Sequence, residues 1–399
     1  MKTKILFSAV GLLAWCSLGC GGSPSASTKS NSIAQASQNV VPISVNSGPA
    51  GFYVDGAFAS ITVCVPGTST CQTISDLLVD TGSSGLRILS SALTIGLPQQ
   101  KSASGYPVAE CLPFLGSYTW GPVQAADVQI GGEKASAVPV QVLSDTEIKV
   151  ASGCTRFGLP SADTLQTLGA NGILGVGFYV QDCGSACAQA GSSNPGLYYD
   201  CPSSGCQVTG ENMAQQVQNP VALFSSDNNG VIVELPAVSS AEATLNGSLV
   251  FGIGTQSNNS LGGATVYTPD PFGNFSVSYK GKSYSTSFID SGSNGYFFLD
   301  ANTTGMPACT NAGGFYCPAS TQSFTVTAQG TNGASGGVSF SIANAESLFN
   351  NQSDTVFSEL GGPAPNMIDM GLPFFFGRNV YTAIEGRNTS GGTGPYWAY

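Results

Sequence analysis

The chain has 399 residues, enough for two lobes around a large buried core, and it contains no histidine. The lack of histidine excludes Ser-His-Asp and Cys-His catalytic devices. Only 9% of the residues are charged and the formal net charge is −11. Lysine and arginine do not cluster, so a nucleic-acid partner is disfavoured.

The N-terminus resembles an export signal. Lys2 and Lys4 precede an apolar run over residues 5–15, which predicts a signal peptide at residues 1–19. The following Cys20 resembles the lipidated cysteine of a bacterial lipoprotein cleavage site, and ordinary signal cleavage is the alternative. The apolar run is short for a membrane-spanning helix. We therefore expect an exported protein of the bacterial cell envelope that contacts the membrane only through a lipid anchor, and otherwise a secreted one.

The segment after Cys20 has a different composition from the rest of the chain. Residues 20–40 are rich in serine, alanine, glutamine and asparagine and predict a flexible tether. Beyond it, glycine-rich turns separate short β-branched and aromatic stretches such as residues 59–63 and 230–235. Helical periodicity is confined to two short candidates, at residues 162–168 and 211–218. This pattern predicts an all-β fold.

Ten cysteines follow Cys20, and an even number in an exported chain indicates disulfide bonds. Local spacing suggests the pairs Cys64–Cys71, Cys183–Cys187, Cys201–Cys206 and Cys309–Cys317, which leaves Cys111–Cys154. The alternative is a zinc site, which would use Cys183, Cys187, Cys201 and Cys206.

The sequence Asp-Thr-Gly-Ser at residues 80–83 is repeated as Asp-Ser-Gly-Ser at residues 290–293, 210 residues later (290 − 80). A lone Asp-x-Gly is usually a turn, but here both copies lie between apolar runs. Two similar halves that each offer one carboxylate can share a proton, with one carboxyl as acid and the other as base. A pair of carboxylates also serves glycosidases, although those act from opposite walls of a sugar groove.

The residues around each aspartate suggest supporting roles. The residue after each aspartate can form a hydrogen bond to the other half, the glycine allows close backbone approach, and the final serine can hold the carboxylate. These residues are Thr81, Gly82 and Ser83 in the first copy and Ser291, Gly292 and Ser293 in the second.

With these two loops the sequence resembles the pepsin-like family of aspartic peptidases. Five segments carry the resemblance and occur in the family's order, at residues 79–86, 127–132, 171–177, 289–293 and 368–384. The chain is also similar to a bacterial group of exported members without an assigned function.

The resemblance implies a bilobal fold of two β-barrel-like lobes with a cleft between them. The N-terminal lobe would span residues 41–257 and the C-terminal lobe residues 258–399. Asp80 and Asp290 would be the catalytic pair, and a peptide or protein substrate would lie in the cleft of a monomer. No metal and no organic cofactor is implied. The alternative is a weak or inactive pepsin-fold protein that binds a peptide at the cell envelope.

The family closes its cleft with a β-hairpin, the flap, which carries a tyrosine. Here Tyr118 and Trp120 are the candidates for covering the cleft, and packing within the hairpin is the alternative for both. Two residues apart on a strand, they point to the same face. Arg87 stands where the family usually has a tryptophan that partners the flap tyrosine.

Overall fold

The structure is a computed structural model that describes residues 37–144, 148–156 and 158–399. The predicted signal peptide, Cys20 and most of the predicted tether lie outside these residues. Strands dominate, and the fold is all-β and bilobal, as expected from the sequence. Within the described ranges, no helix is long and apolar enough to cross a membrane.

The strands of the first half run from β1 to β12. They are β1 Val40–Val45, β2 Ala57–Cys64, β3 Cys71–Asp80, β4 Ser84–Leu89, β5 Val108–Pro113, β6 Tyr118–Ile130, β7 Glu133–Leu143, β8 Gly172–Val176, β9 Tyr198–Asp200, β10 Gln207–Val208, β11 Gly230–Leu235 and β12 Leu245–Phe251.

The strands of the second half run from β13 to β24. They are β13 Val266–Tyr267, β14 Phe275–Tyr279, β15 Lys282–Ile289, β16 Tyr296–Leu299, β17 Gln322–Gln329, β18 Ser335–Ile342, β19 Gly361–Gly362, β20 Ala364–Met370, β21 Arg378–Ala383, β22 Asn388–Thr389, β23 Gly392–Thr393 and β24 Tyr396–Ala398.

The helices of the described residues are short. They are α1 Ser152–Thr155, α2 Leu165–Leu168, α3 Ala301–Thr304 and α4 Ala345–Leu348, with 3-10 turns at Ser90–Ala92, Gly184–Cys187, Met213–Gln215, Pro220–Leu223 and Leu372–Phe375.

The two helices expected from the sequence are shorter than predicted. The first shrinks to α2, because a capping box between Thr164 and Thr167 starts it and Gly169, in a left-handed conformation, ends it. The second is only the 3-10 turn Met213–Gln215. Asn212 caps that turn through the amide of Ala214, and Gln216 already has extended backbone angles.

The first half forms a closed barrel. Strands pair in the order β2-β3-β8-β4-β7-β6, and an additional pairing of β6 with β2 closes the circle. Its central strand β8 runs parallel to β3 and antiparallel to β4, and every residue of β8 is buried. Strands that are covered on both faces require such continuous apolar sequence.

The second half repeats this arrangement in the sheet β18-β17-β14-β15-β20-β16-β19. Strand β20 runs parallel to β15 and antiparallel to β16, as β8 does with β3 and β4. The repeat places the ends of β3 and β15 in equivalent positions, and these are the two strands that lead into the acidic loops.

A shared sheet joins the halves. Beyond β1, the first sheet continues through β12, β11, β21, β24 and β13, so that strands from near both ends of the chain lie side by side. One hydrophobic core extends across the junction, and in it Phe178 packs on Trp397 with ring centroids 4.5 Å apart. The two acidic loops meet above this core.

Candidate active site

Both aspartates lie at the ends of buried strands. Asp80 is the last residue of β3, and Asp290 directly follows β15. In each half this strand pairs in parallel with another strand, β8 in the first half and β20 in the second. The pairing with β8 places Asp80 opposite Gly175. Both carboxylates are 0% exposed. The apolar runs before each aspartate therefore carry the two carboxyls to the junction between the halves.

One backbone amide contacts both carboxylates. The Gly82 N–H donates to Asp80 Oδ1 at 2.8 Å and to Asp290 Oδ1 at 3.0 Å. The Gly292 N–H donates to Asp290 Oδ1 at 2.7 Å. Hydrogen bonds to the charged form favour ionisation, which offsets part of the cost of burial.

Glycine is required at both positions because of close approach. A Cβ atom on Gly82 would lie 2.5 Å from Asp290 Cγ, and one on Gly292 would lie 2.7 Å from Asp80 Oδ1. Each loop thus brings its backbone against the carboxylate of the other half. A side chain at either position would force the pair apart.

Reciprocal hydrogen bonds connect the two loops below the carboxylates. The Thr81 N–H donates to Ser291 Oγ at 3.1 Å, and the Ser291 N–H donates to Thr81 Oγ1 at 2.9 Å. The Ser291 hydroxyl donates further to the Val79 carbonyl at 2.7 Å. All three residues are buried, so these bonds form in a medium where their loss is costly. They fix the two halves in register at the site.

The serines three residues after each aspartate contact the carboxylates. The Ser83 hydroxyl donates to Asp80 Oδ2. Ser293 Oγ lies 3.1 Å from Asp290 Oδ2 and 2.6 Å from Asp369 Oδ2. Asp369 therefore belongs to the site, and sequence reasoning missed it. The sequence did carry a signal, because Asp369 stands in an otherwise apolar run at residues 367–370, at the end of β20.

The two catalytic candidates have different proton affinities. Burial raises the pKa of Asp80, while hydrogen bonds from Asp290, Ser83 and Gly82 and the charge of Arg87 act to lower it. Burial, followed by the charges of Asp80 and Asp369, raises the pKa of Asp290 well above its ordinary value. Two carboxyls held this close share one proton, because both cannot ionise cheaply.

Arg87 belongs to a buried ionic cluster. Its Nη2 lies 3.1 Å from Glu110 Oε1 and 2.7 Å from Asp182 Oδ2, and its Nη1 donates to the Ser84 carbonyl at 2.9 Å. The Tyr198 hydroxyl donates to Asp182 Oδ1 at 2.7 Å. Burial raises the pKa of Glu110 well above its ordinary value, with Arg87 opposing and Asp182 reinforcing that shift.

This cluster connects the acidic loop to the predicted flap. Arg87 lies on β4, directly after the first acidic loop, and Glu110 lies on β5, the first strand of the hairpin β5–β6. The Arg87–Glu110 salt bridge therefore joins the strand behind the first acidic loop to the hairpin.

The structure contradicts the expectation that Tyr118 and Trp120 cover the cleft. Both rings pack in a separate cluster with the Cys111–Cys154 disulfide. The Trp120 Nε1–H donates to the Ile148 carbonyl at 3.0 Å, and its ring meets Tyr199 edge-on at 5.2 Å. The two residues do share one face of the strand, as predicted, but that face packs against α1 and β9.

Another aromatic ring lies near the carboxylates. Tyr53 is buried in a cluster with Phe58 and Phe114, the latter at the tip of the hairpin. Burial, and then the charges of Asp80 and Asp290, raise the pKa of the Tyr53 hydroxyl well above its ordinary value. Tyr53 precedes the first barrel strand in a region without a recognisable motif, so sequence reasoning did not identify it.

A small concavity of about 30 Å³, open to solvent, lies beside the first acidic loop. It reaches the partly exposed Gly82, whose amide holds both carboxylates. Phe178, Tyr179, Phe272 and Trp397 line much of it. Because Phe272 is 65% exposed, the concavity has an apolar rim that is open to solvent.

The described residues form five disulfides, which are the four pairs that local spacing suggests and the pair that they leave. They are Cys64–Cys71, Cys111–Cys154, Cys183–Cys187, Cys201–Cys206 and Cys309–Cys317. The zinc alternative is wrong, because its four cysteines form two of these bonds. Five disulfides in one chain indicate an extracellular or exported protein.

Comparison with known proteins agrees with the geometry at the level of the fold. The chain is similar to the crystal structure of the aspartic proteinase from Irpex lacteus, with 15% identity over 90% of this chain and 96% of that chain and a TM-score of 0.52. At that identity the likeness shows a shared pepsin-like fold. No curated protein matches the chain. A family model described as "Protein of unknown function (DUF3443)" matches residues 35–399, and the chain therefore belongs to the DUF3443 family.

Proposed function

We propose that this protein is an exported aspartic endopeptidase, in which Asp80 and Asp290 activate a water molecule for peptide hydrolysis. The observation that carries the proposal is the Gly82 N–H, which contacts one oxygen of each carboxylate. Two carboxyl groups held this close cannot both ionise cheaply, so one proton is shared between them.

We assign the acid role to Asp290, whose Ser293 also contacts the acid Asp369, and the base role to Asp80. Asp80, as the carboxylate, takes a proton from water while the water oxygen attacks the scissile carbonyl carbon. Asp290, as the acid, gives its proton to the carbonyl oxygen, which yields a tetrahedral diol. Asp80 then passes its proton to the leaving nitrogen as the C–N bond breaks, and a diol hydroxyl returns a proton to Asp290. The cycle needs no metal or organic cofactor.

A peptide segment is the proposed substrate, bound by a monomer in the cleft between the lobes. The apolar rim of the concavity beside Gly82, formed by Phe178, Tyr179 and Phe272, would contact an apolar part of the peptide. Sites at the junction of two domains commonly bind ligands in this way.

The test is digestion of a denatured protein mixture over a range of pH, with and without a statine-type transition-state mimic. Wild-type protein should release peptides at acidic pH, and the mimic should block the release. Asp80→Asn and Asp290→Asn should each abolish it, because each removes one of the two proton-transfer groups. Equal peptide release from either variant and from wild type would sink the mechanism, provided that both variants have native near-UV circular dichroism.

A second candidate function is binding of a peptide without cleavage. It is favoured by the complete burial of both carboxylates and by the Arg87–Glu110 salt bridge, which joins the strand behind the first acidic loop to the hairpin. Peptide capture by wild type without any product at any pH, and equal capture by Asp80→Asn, would establish this alternative over the peptidase.

The proposed location is the bacterial cell envelope, through a lipid on Cys20. That residue lies outside the described part of the chain, and the five disulfides support export only. Membrane fractionation of wild type and Cys20→Ser is the test. The wild-type protein should sediment with membranes, and the variant should appear in the soluble exported fraction. Equal distribution of the two would exclude the anchor.

A further inference from the structure

Asp369 occupies a position where the fold itself requires no acid. It lies on β20, two residues before Gly371, and pairs with Phe288, which is two residues before Asp290. In the first half the same register pairs Leu78 with Ile173, two residues before Gly175. The equivalent side chain there is therefore an apolar one. Asp369 is 1% exposed, so the acid replaces an apolar residue in a buried layer.

The contacts of Ser293 require a proton on one of two carboxyl groups. Its Oγ lies 3.1 Å from Asp290 Oδ2 and 2.6 Å from Asp369 Oδ2. A hydroxyl group has one proton and can donate to only one of these oxygens. If both carboxyls were ionised, the other contact would place a lone pair of the hydroxyl against a carboxylate at hydrogen-bond distance. One of the two carboxyls must therefore donate to Ser293.

We propose that Asp369 is a positioning residue which, through Ser293, stores a second proton beside the catalytic pair and keeps Asp290 protonated to higher pH. The inference rests on the proposed function. Asp369 acts on Asp290 through the shared serine and through its charge. The proton on the hydrogen-bonded path Asp369–Ser293–Asp290 can lie on either carboxyl. Asp290 can therefore still carry a proton after the Asp80–Asp290 pair has released its own.

Other ionisable groups lie on the elements near β20. Asp80 lies beyond Asp290 and adds negative charge. On β16, Tyr296 pairs with Met370, and burial raises the pKa of its phenol to about 12, against the opposing effect of Arg378. Arg378 itself donates to the Phe374 carbonyl at 2.5 Å and stacks on the Phe374 ring. Asp55 also acts on Tyr296, and burial raises the pKa of the Asp55 carboxyl itself well above its ordinary value.

The surroundings of Asp290 therefore favour its protonated form. Burial and the neighbouring charges of Asp80 and Asp369 both raise the pKa of Asp290. An exported peptidase with this arrangement would stay active closer to neutral pH than one with an apolar residue at position 369.

The decisive experiment compares the pH dependence of kcat/KM for wild type, Asp369→Asn and Asp369→Ile. The asparagine preserves the shape and can still donate to Ser293, and the isoleucine reproduces the residue at position 173. Both variants should retain measurable activity at acidic pH, while the upper limb of the profile should move to lower pH by about one unit or more. Asp354→Asn, at a partly exposed acid in a surface turn, should leave the limb unchanged.

A second measurement needs no catalysis and keeps the two proposals distinguishable. The number of protons bound on folding follows from the pH dependence of the free energy of unfolding. At the pH of the largest difference between the two proteins, Asp369→Asn should bind about one proton fewer on folding than wild type. An inactive wild type with this difference would refute the peptidase and leave the proton store intact. An unchanged upper limb in an active Asp369→Asn, or an unchanged proton number, would overturn the role of Asp369.

Discussion

The ionic cluster around Arg87 allows a quantitative prediction for Arg87→Met. The arginine is the cation that faces both Glu110 and Asp182, and all three side chains are 0% exposed. Methionine fills similar space but leaves two buried acids without a positive partner. Removing one member of a buried ion pair typically costs about 3–5 kcal/mol, because an uncompensated charge remains. We expect a loss of this size in the free energy of unfolding at about pH 7.

The loss should depend on pH in a defined direction. The charge of Arg87 lowers the pKa of Glu110, which burial already raises. Without the arginine the pKa of Glu110 in the folded variant rises further. A raised folded-state pKa gives stability that is present below the unfolded value and lost as the pH rises through the folded value. The deficit of Arg87→Met should therefore be smaller at about pH 4 than at about pH 7.

Denaturant unfolding with the disulfides intact, followed by tryptophan fluorescence, measures this deficit. Lys134→Met is the matched control, because Lys134 is exposed on β7 and its replacement should change stability by about 0.5 kcal/mol or less. A loss below about 1 kcal/mol at neutral pH, or a loss equal at both pH values, would refute the reasoning. In that case one of the two acids, Glu110 or Asp182, would already carry a proton, and the cluster would hold no net charge.

Three further outcomes are expected. Gly82→Ala should abolish peptide hydrolysis, because the new methyl group would lie 2.5 Å from Asp290 Cγ; retained turnover in a standard peptide assay would contradict the close contact. The double variant Cys111→Ser, Cys154→Ser opens a loop with a sequence separation of 43 and should lose about 4 kcal/mol of unfolding free energy in the loop-entropy model. A loss near zero in urea titrations would count against this prediction. Trp120→Ala should lower stability by about 3–5 kcal/mol while kcat/KM of the folded fraction stays near wild type, because the ring packs away from the carboxylates; the reverse pattern would restore its role as a cover.

The sequence was most informative where chemistry and short-range pattern coincide. The repeated Asp-x-Gly-Ser loops predicted that Thr81 and Ser291 meet across the halves, because a hydroxyl after each aspartate has a partner only if the loops face one another. Local cysteine spacing suggested four of the five disulfides, since short loops leave few alternative partners, and the fifth followed as the pair that remained.

The sequence was least informative where a side chain's role depends on which face of a strand is covered. Tyr118 and Trp120 share a face, but only the fold reveals that α1 and β9 cover it. Asp369 was visible as an acid in an apolar strand, yet its contact with Ser293 depends on the register of β20 against β15. Tyr53 reaches the site from before the first barrel strand, and no local pattern encodes that path.

The sheet that joins the halves has a consequence for how the molecule is assembled. Strand β11 pairs with β21, and Gly230 lies opposite Ala383, 153 residues further along the chain (383 − 230). Such distant pairing is slow to form, because the intervening loop must close before any contact is gained. While residues 378–398 are still unmade or untranslocated, β11 presents an open edge that another chain could join. During biogenesis the first half would therefore depend on protection of this edge until the last strands arrive.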